Sequence, residues 1–168
     1  NNIDASTLSL VGQINIELLK YDVEDDLSTF KYRSYLNPIL ADEGFHTSLA
    51  SMGSQIMNSK KEIENYIKRL KDIHRSVDER LALMRKGLKS GICQPKAILN
   101  GYQNTYEQHI VSEPEKSVFW KPFSKKPVAI NEEDWKVITE EGKMAVQDFA
   151  INAYKKIKIF FDKEYLPS

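Results

Sequence analysis

Apolar side chains recur at three- and four-residue steps over most of this chain, and no stretch sustains the two-residue alternation of a strand. The longest run lies between Asn131 and about Tyr165. Ile138, Ala145, Phe149, Ala153, Ile157 and Phe160 form one row, and Val146, Ala150, Tyr154, Ile157 and Phe161 form a second beside it. Two rows make a stripe wider than a single seam, which predicts a helix buried on more than one side. Asn131 suits the N-cap, and Glu132, Glu133 and Asp134 place negative charge on the first turn, where the helix dipole favours it. Lys155, Lys156, Lys158 and Lys163 give the far end the opposite sign, and Pro167 stops the helix. At about 1.5 Å per residue it spans roughly 50 Å.

The same period places the other elements. Asp4 or Ser6 caps a first helix whose apolar positions are Leu10, Ile14, Leu18 and Leu19, continuing to Leu27 and Phe30. An acidic cluster, Asp22, Glu24, Asp25 and Asp26, rides on this run, and Asn37-Pro38 ends it. Asp42-Glu43-Gly44 is a turn, followed by a short packed segment from Phe45 to Met52. Ser59 and Glu62 have capping-box spacing. Ile63, Tyr66, Ile67, Leu70 and Ile73 follow, then a shifted stripe of Val77, Leu81, Met84 and Leu88. The shift near His74 predicts two consecutive helices or one bent helix, closed by Gly91. Pro95 opens a further helix carrying Ile98, Tyr102 and Tyr106, which Glu113-Pro114 breaks. Phe119, Trp120 and Phe123 anchor the proline-containing loop that leads to the last helix. The expected fold is an all-α antiparallel helical bundle with one long C-terminal helix, in a single domain over residues 1–168.

Composition supports this and narrows the chemistry. Of 168 residues, only 7 are Gly and 6 Pro, which favours helix. Lys+Arg and Asp+Glu number 24 each, so no net field draws the chain to nucleic acid. No run of about 20 apolar residues is present to span a membrane, and no signal peptide is evident. Because the chain starts at Asn1, it is expected to be a processed product or part of a longer protein. The basic stretch from Lys60 to Lys89 is interspersed with Glu62, Glu64, Asp72, Asp78 and Glu79, the mark of a solvated helix face.

Candidate reactive groups are few. His46, His74 and His109 are the histidines, and none stands in an HExxH segment. Glu43 and His46 have the Glu-x-x-His spacing of a di-iron bundle, but in one copy with Gly44 between them. A surface or loop-anchoring role for His46 is the expectation. His74 is expected to pair with Asp78 at i,i+4, and no role is read for His109. Cys93 rules out an internal disulfide and is expected to be a buried structural thiol. No catalytic, cofactor-binding or metal-ligating residue is assigned within the chain.

Four stretches, in order, carry a resemblance. They are Tyr66-Ile67-Lys68-Arg69-Leu70; Met84-Arg85-Lys86-Gly87-Leu88-Lys89-Ser90-Gly91 with Gln94-Pro95; Val118-Phe119-Trp120-Lys121-Pro122-Phe123; and Phe160-Phe161-Asp162-Lys163-Glu164-Tyr165-Leu166-Pro167. From about Leu18 onward the chain resembles the N-terminal half of the bacterial domain-of-unknown-function family eight hundred and eighty-five. The resemblance implies a longer helical protein, often exported or lipid-anchored in Gram-negative bacteria, whose C-terminal half carries HExxH and looks like a zinc metallopeptidase. It implies a periplasmic or outer-membrane lipoprotein location, zinc in the full-length parent and no cofactor in this part. The expected function is then the non-catalytic helical scaffold half of a zinc-dependent peptidase. Its partner would be the C-terminal catalytic half, or a second copy meeting an exposed apolar face left on the long helix. The alternative is a self-contained helical peptide- or ligand-binding module.

Overall fold

The computed structural model describes residues 4–167. The fold is all-α, and among the described residues the sole extended pairing is an isolated bridge between Ile39 and Gly44. The chain divides into two compact units, Asn1–Leu36 and Asn37–Ser168.

The first unit is built on α1, Leu10–Lys31, capped by the Ser9 hydroxyl, which accepts from the Gly12 amide at 3.3 Å. Asp4 caps a preceding 3-10 turn, Ala5–Thr7, instead of the helix. At 100° per residue, Leu10, Val11, Ile14, Leu18 and Tyr21 share one face of α1. Ile16, Leu19, Val23, Leu27 and Phe30 share the opposite face. No residue of α1 is buried.

The second unit holds the core. α2 (Phe45–Ala50) leads through a 3-10 turn, Ser51–Ser54, to α3 (Lys60–Lys89). α3 opens with the expected capping box: Ser59 Oγ accepts from the Glu62 amide, and Glu62 accepts from the Ser59 amide at 3.1 Å. It is one unbroken helix through His74, and its buried residues from Ile63 to Met84 form a single stripe. It ends in a Schellman motif: Gly91 is left-handed at φ 71°, and the Ile92 amide donates to the Gly87 carbonyl at 2.9 Å. The helix expected after Pro95 is replaced by a 3-10 turn, Lys96–Leu99, and the four-residue α4, Asn104–Glu107. Gly101 at φ 82° separates them. A 3-10 segment, Val118–Phe123, then buries Phe119 and Phe123 as loop anchors, and the Tyr66 hydroxyl donates to the Phe119 carbonyl at 2.9 Å.

The long C-terminal helix runs from Glu132 to Tyr165: α5 (Glu132–Ala145), a π-helical stretch (Val146–Ile151), α6 (Asn152–Phe160), and a final π turn (Phe161–Tyr165). The burial pattern explains the first π stretch. Buried pairs fall at Ala145 and Val146, then Ala150 and Ile151, a five-residue step, before the ordinary period resumes at Ala153 and Tyr154. A wide turn absorbs the extra residue and keeps both segments facing the core. Ile151 is therefore fully buried and Phe149 is turned partly outward.

Short connections predict antiparallel neighbours, but the two long helices run side by side in the same direction. Lys60 pairs with Asp134, Lys71 with Glu141, Asp78 with Lys156 and Arg85 with Glu164, ascending together along both. Segment 90–131 carries the chain back to make this possible. Close packing fixes two glycines: a Cβ on Gly53 would lie 2.2 Å from the Val118 carbonyl oxygen, and one on Gly142 2.5 Å from the Phe123 ring.

Candidate functional site

Two features of the molecule need more than packing to account for them: a polar knot in the core of the second unit, and the surface of α1.

The knot centres on His46, on the first turn of α2 and fully buried. Gly44 makes the entry possible, because a Cβ there would stand 2.9 Å from both the His46 ring and the Tyr102 hydroxyl. The ring is surrounded by Phe45, Tyr102, Tyr106 and Phe161 in edge-on contacts. The Tyr154 hydroxyl donates to the His46 carbonyl at 2.5 Å, and the Tyr102 hydroxyl to the Glu43 carbonyl at 3.0 Å.

The tautomer follows from hydrogen counting. Thr105 Oγ1 spends its one proton on the Tyr102 carbonyl at 2.6 Å. Its 2.8 Å contact with His46 Nε2 must then be donated by the imidazole. Nδ1 carries a bare lone pair, and no donor reaches it. Burial, reinforced by the nearby His109, holds the His46 pKa down at about 4, so the ring is neutral at pH 7. Half-buried His109 lies against Tyr154 with ring centroids 4.6 Å apart, and burial lowers its pKa too. Tyr106 Oη has no hydrogen-bond partner of ordinary geometry; burial, then the Asp162 charge, push it up to about 12.

This arrangement anchors the 43–46 turn to α4 and α6, one of the two roles expected for His46. It does not assemble a metal centre. Glu43 is exposed while His46 is buried, so the Glu-x-x-His pair does not converge. His74 does not pair with Asp78: its Nδ1 donates to the Lys71 carbonyl at 2.7 Å, its ring faces Phe149, and Lys156 has claimed the Asp78 carboxylate at 2.7 Å. Among the described residues no three His, Cys, Asp or Glu side chains are grouped to hold a metal ion. The donors present do not fit a zinc site: His46 Nε2 is committed to Thr105, and Nδ1 is walled in by Gly44 and Tyr102. Cys93 is exposed rather than buried, since it lies in the turn between Gly91 and Pro95 that leaves the core.

The second feature is α1. Nine large apolar or aromatic residues on its two faces are exposed, among them Leu10, Leu19 and Phe30 at 72%, 62% and 70%. Each face exposes on the order of 500 Å² of apolar surface, the size of the largest patch on an ordinary monomer, and α1 carries two. The surplus was expected on the long C-terminal helix, but that stripe is consumed by α3 and by the aromatic segment 102–123. The sequence signal for α1 was present: its apolar positions drift from one face to the other midway along. No helix among the described residues is long and apolar enough to cross a membrane, so the exposed face is not a membrane span.

Comparison with known proteins places these features in a family. The chain matches the family described as "Bacterial protein of unknown function (DUF885)" over residues 1–168. No curated protein and no solved structure matches it.

Proposed function

Starting from a chain that belongs to this bacterial family of unknown function, we propose that it is the non-catalytic helical scaffold of a larger zinc-dependent peptidase. The observation that carries the reading is α1: a 22-residue helix with apolar side chains on two opposite faces and no buried residue. A helix with an apolar stripe on each of two faces offers both faces for protein to cover, with its charged positions between them. On this reading α1 is inserted into the catalytic portion of the parent, which supplies the zinc ligands and the general base. The second unit serves as a rigid buttress, its reactive groups spent on internal hydrogen bonds. On the same reading the compartment is the periplasm or the outer membrane, as the resemblance implied.

The test has two arms. Calorimetry of this chain with zinc should show no stoichiometric site tighter than micromolar; a tighter one overturns the reading. The parent protein carrying Leu18→Glu and Leu27→Glu, one charge on each face of α1, should lose peptidase activity and its compact hydrodynamic radius. An unchanged parent removes α1 as the docking element.

A further inference from the structure

A groove of about 670 Å³ runs between segment 53–58 and loop 121–128. Its floor is apolar, with Met57, Pro122 and Pro127 lining it. Ile56 and Val128 stand on its rims at 87% and 101% exposure. Lys121, Lys125 and Lys126 all face it, and no acidic side chain lines it, in a chain whose acids and bases balance. Lys126 is held by Glu132 at 3.1 Å and by the Ile130 carbonyl at 2.8 Å. Lys121 and Lys125 have no ion-pair partner among the described residues.

The backbone of the wall is as telling as its side chains. Gln55 and Ser59 both have extended backbone, and residues 55–58 lie outside any helix between a 3-10 turn and α3. Among the described residues, the N–H and C=O groups of Ile56 and Met57 make no backbone hydrogen bond, and neither do the N–H groups of Lys125 and Val128. A wall with unpaired backbone donors and acceptors is what the backbone of an added peptide can pair with.

We infer that this groove binds an extended peptide segment in which a carboxylate stands beside an apolar side chain. The apolar side chain enters the Met57–Pro122–Pro127 floor. The carboxylate meets Lys121 and Lys125, and the peptide backbone pairs with Ile56 and Met57. A second copy docking this same patch on itself is opposed, because lysines would face lysines. The inference does not depend on what covers α1.

The experiment is amide-resolved NMR titration of the chain with an acetylated, amidated hexapeptide alternating valine and glutamate, and with its counterpart carrying lysine for glutamate. The acidic peptide should shift the amides of Ile56, Met57, Lys125 and Val128 in a saturable way, and the basic one should not. Lys121→Glu with Lys125→Glu should weaken binding about tenfold or more, equivalent to about 1.4 kcal/mol. Helical circular dichroism should be unchanged, because both side chains are exposed, and Lys125→Ala alone should give a smaller loss in the same direction. Equal binding of the two peptides overturns the inference, as does no shift at millimolar peptide or a response centred elsewhere. So does a shift of the same amides on concentrating the protein without peptide, which would assign the groove to a second copy.

Discussion

A histidine with one committed nitrogen and one bare one makes a sharp residue-scale prediction. His46 is neutral in the fold and holds a pKa of about 4, against an ordinary 6.5. The unfolded chain therefore binds a proton that the folded chain refuses between these values. His46 thus contributes stability above pH 6.5, and this is lost as the pH falls toward 4. The loss approaches on the order of 3 kcal/mol for a buried group shifted this far. Denaturant titrations at pH 7 and pH 4.5 should show it, and His46→Phe should flatten the slope over that window. Imidazole ¹⁵N shifts should report Nδ1 as unprotonated across pH 5 to 8. A surface role and an anchoring role were equally open from the sequence, and the tautomer was not legible at all. It depends on Thr105, fifty-nine positions away, being already committed to Tyr102.

At the scale of the element, turns and close approaches set the limits. Gly91 has open space where a Cβ would stand but sits at φ 71°, so Gly91→Ala isolates the left-handed penalty, about 1 kcal/mol by chemical denaturation. Gly53→Ala drives a methyl into the Val118 carbonyl and must move backbone, costing about 3 kcal/mol. Caps and long stripes were readable in part: Ser59 with Glu62, Asn131, and the apolar positions from Ile63 and, as far as Val146, from Ile138 are where the sequence places them, while the shift expected near His74 is absent. The misplacements have local causes. Phe149 was placed in the stripe and Ile151 left out because a fixed period has no room for a π turn. The helix expected through Tyr102 is divided because Gly101 is left-handed. The parallel course of the two long helices is invisible to periodicity, since a repeat reports which face is buried and not which way a neighbour runs.

For the whole molecule the governing fact is where apolar surface is left over. The second unit satisfies its own core, and α1 does not. Held alone in solution, the chain should associate as its concentration rises, and sedimentation should show the average mass fall toward the monomer for Leu18→Glu with Leu27→Glu. A wild-type chain that stays monomeric at high micromolar concentration would mean that α1 does not drive association. The ion pairs along the two long helices are half-exposed and screened by solvent, so each adds little to stability. They report alignment more than they create stability, so high salt should leave the unfolding midpoint nearly unchanged.

The five-residue step in the C-terminal helix carries an unusual tolerance. Removing Asp148 should let the wide turn relax into a regular one, leaving every downstream contact from Ala153 to Tyr165 in its present orientation. Removing Lys155, equally solvent-facing, should swing that same segment through about 100° and strip Ile157, Phe160 and Phe161 from their partners. Two one-residue deletions seven positions apart in one helix should thus have opposite fates: a protein that still melts cooperatively, and one that does not fold.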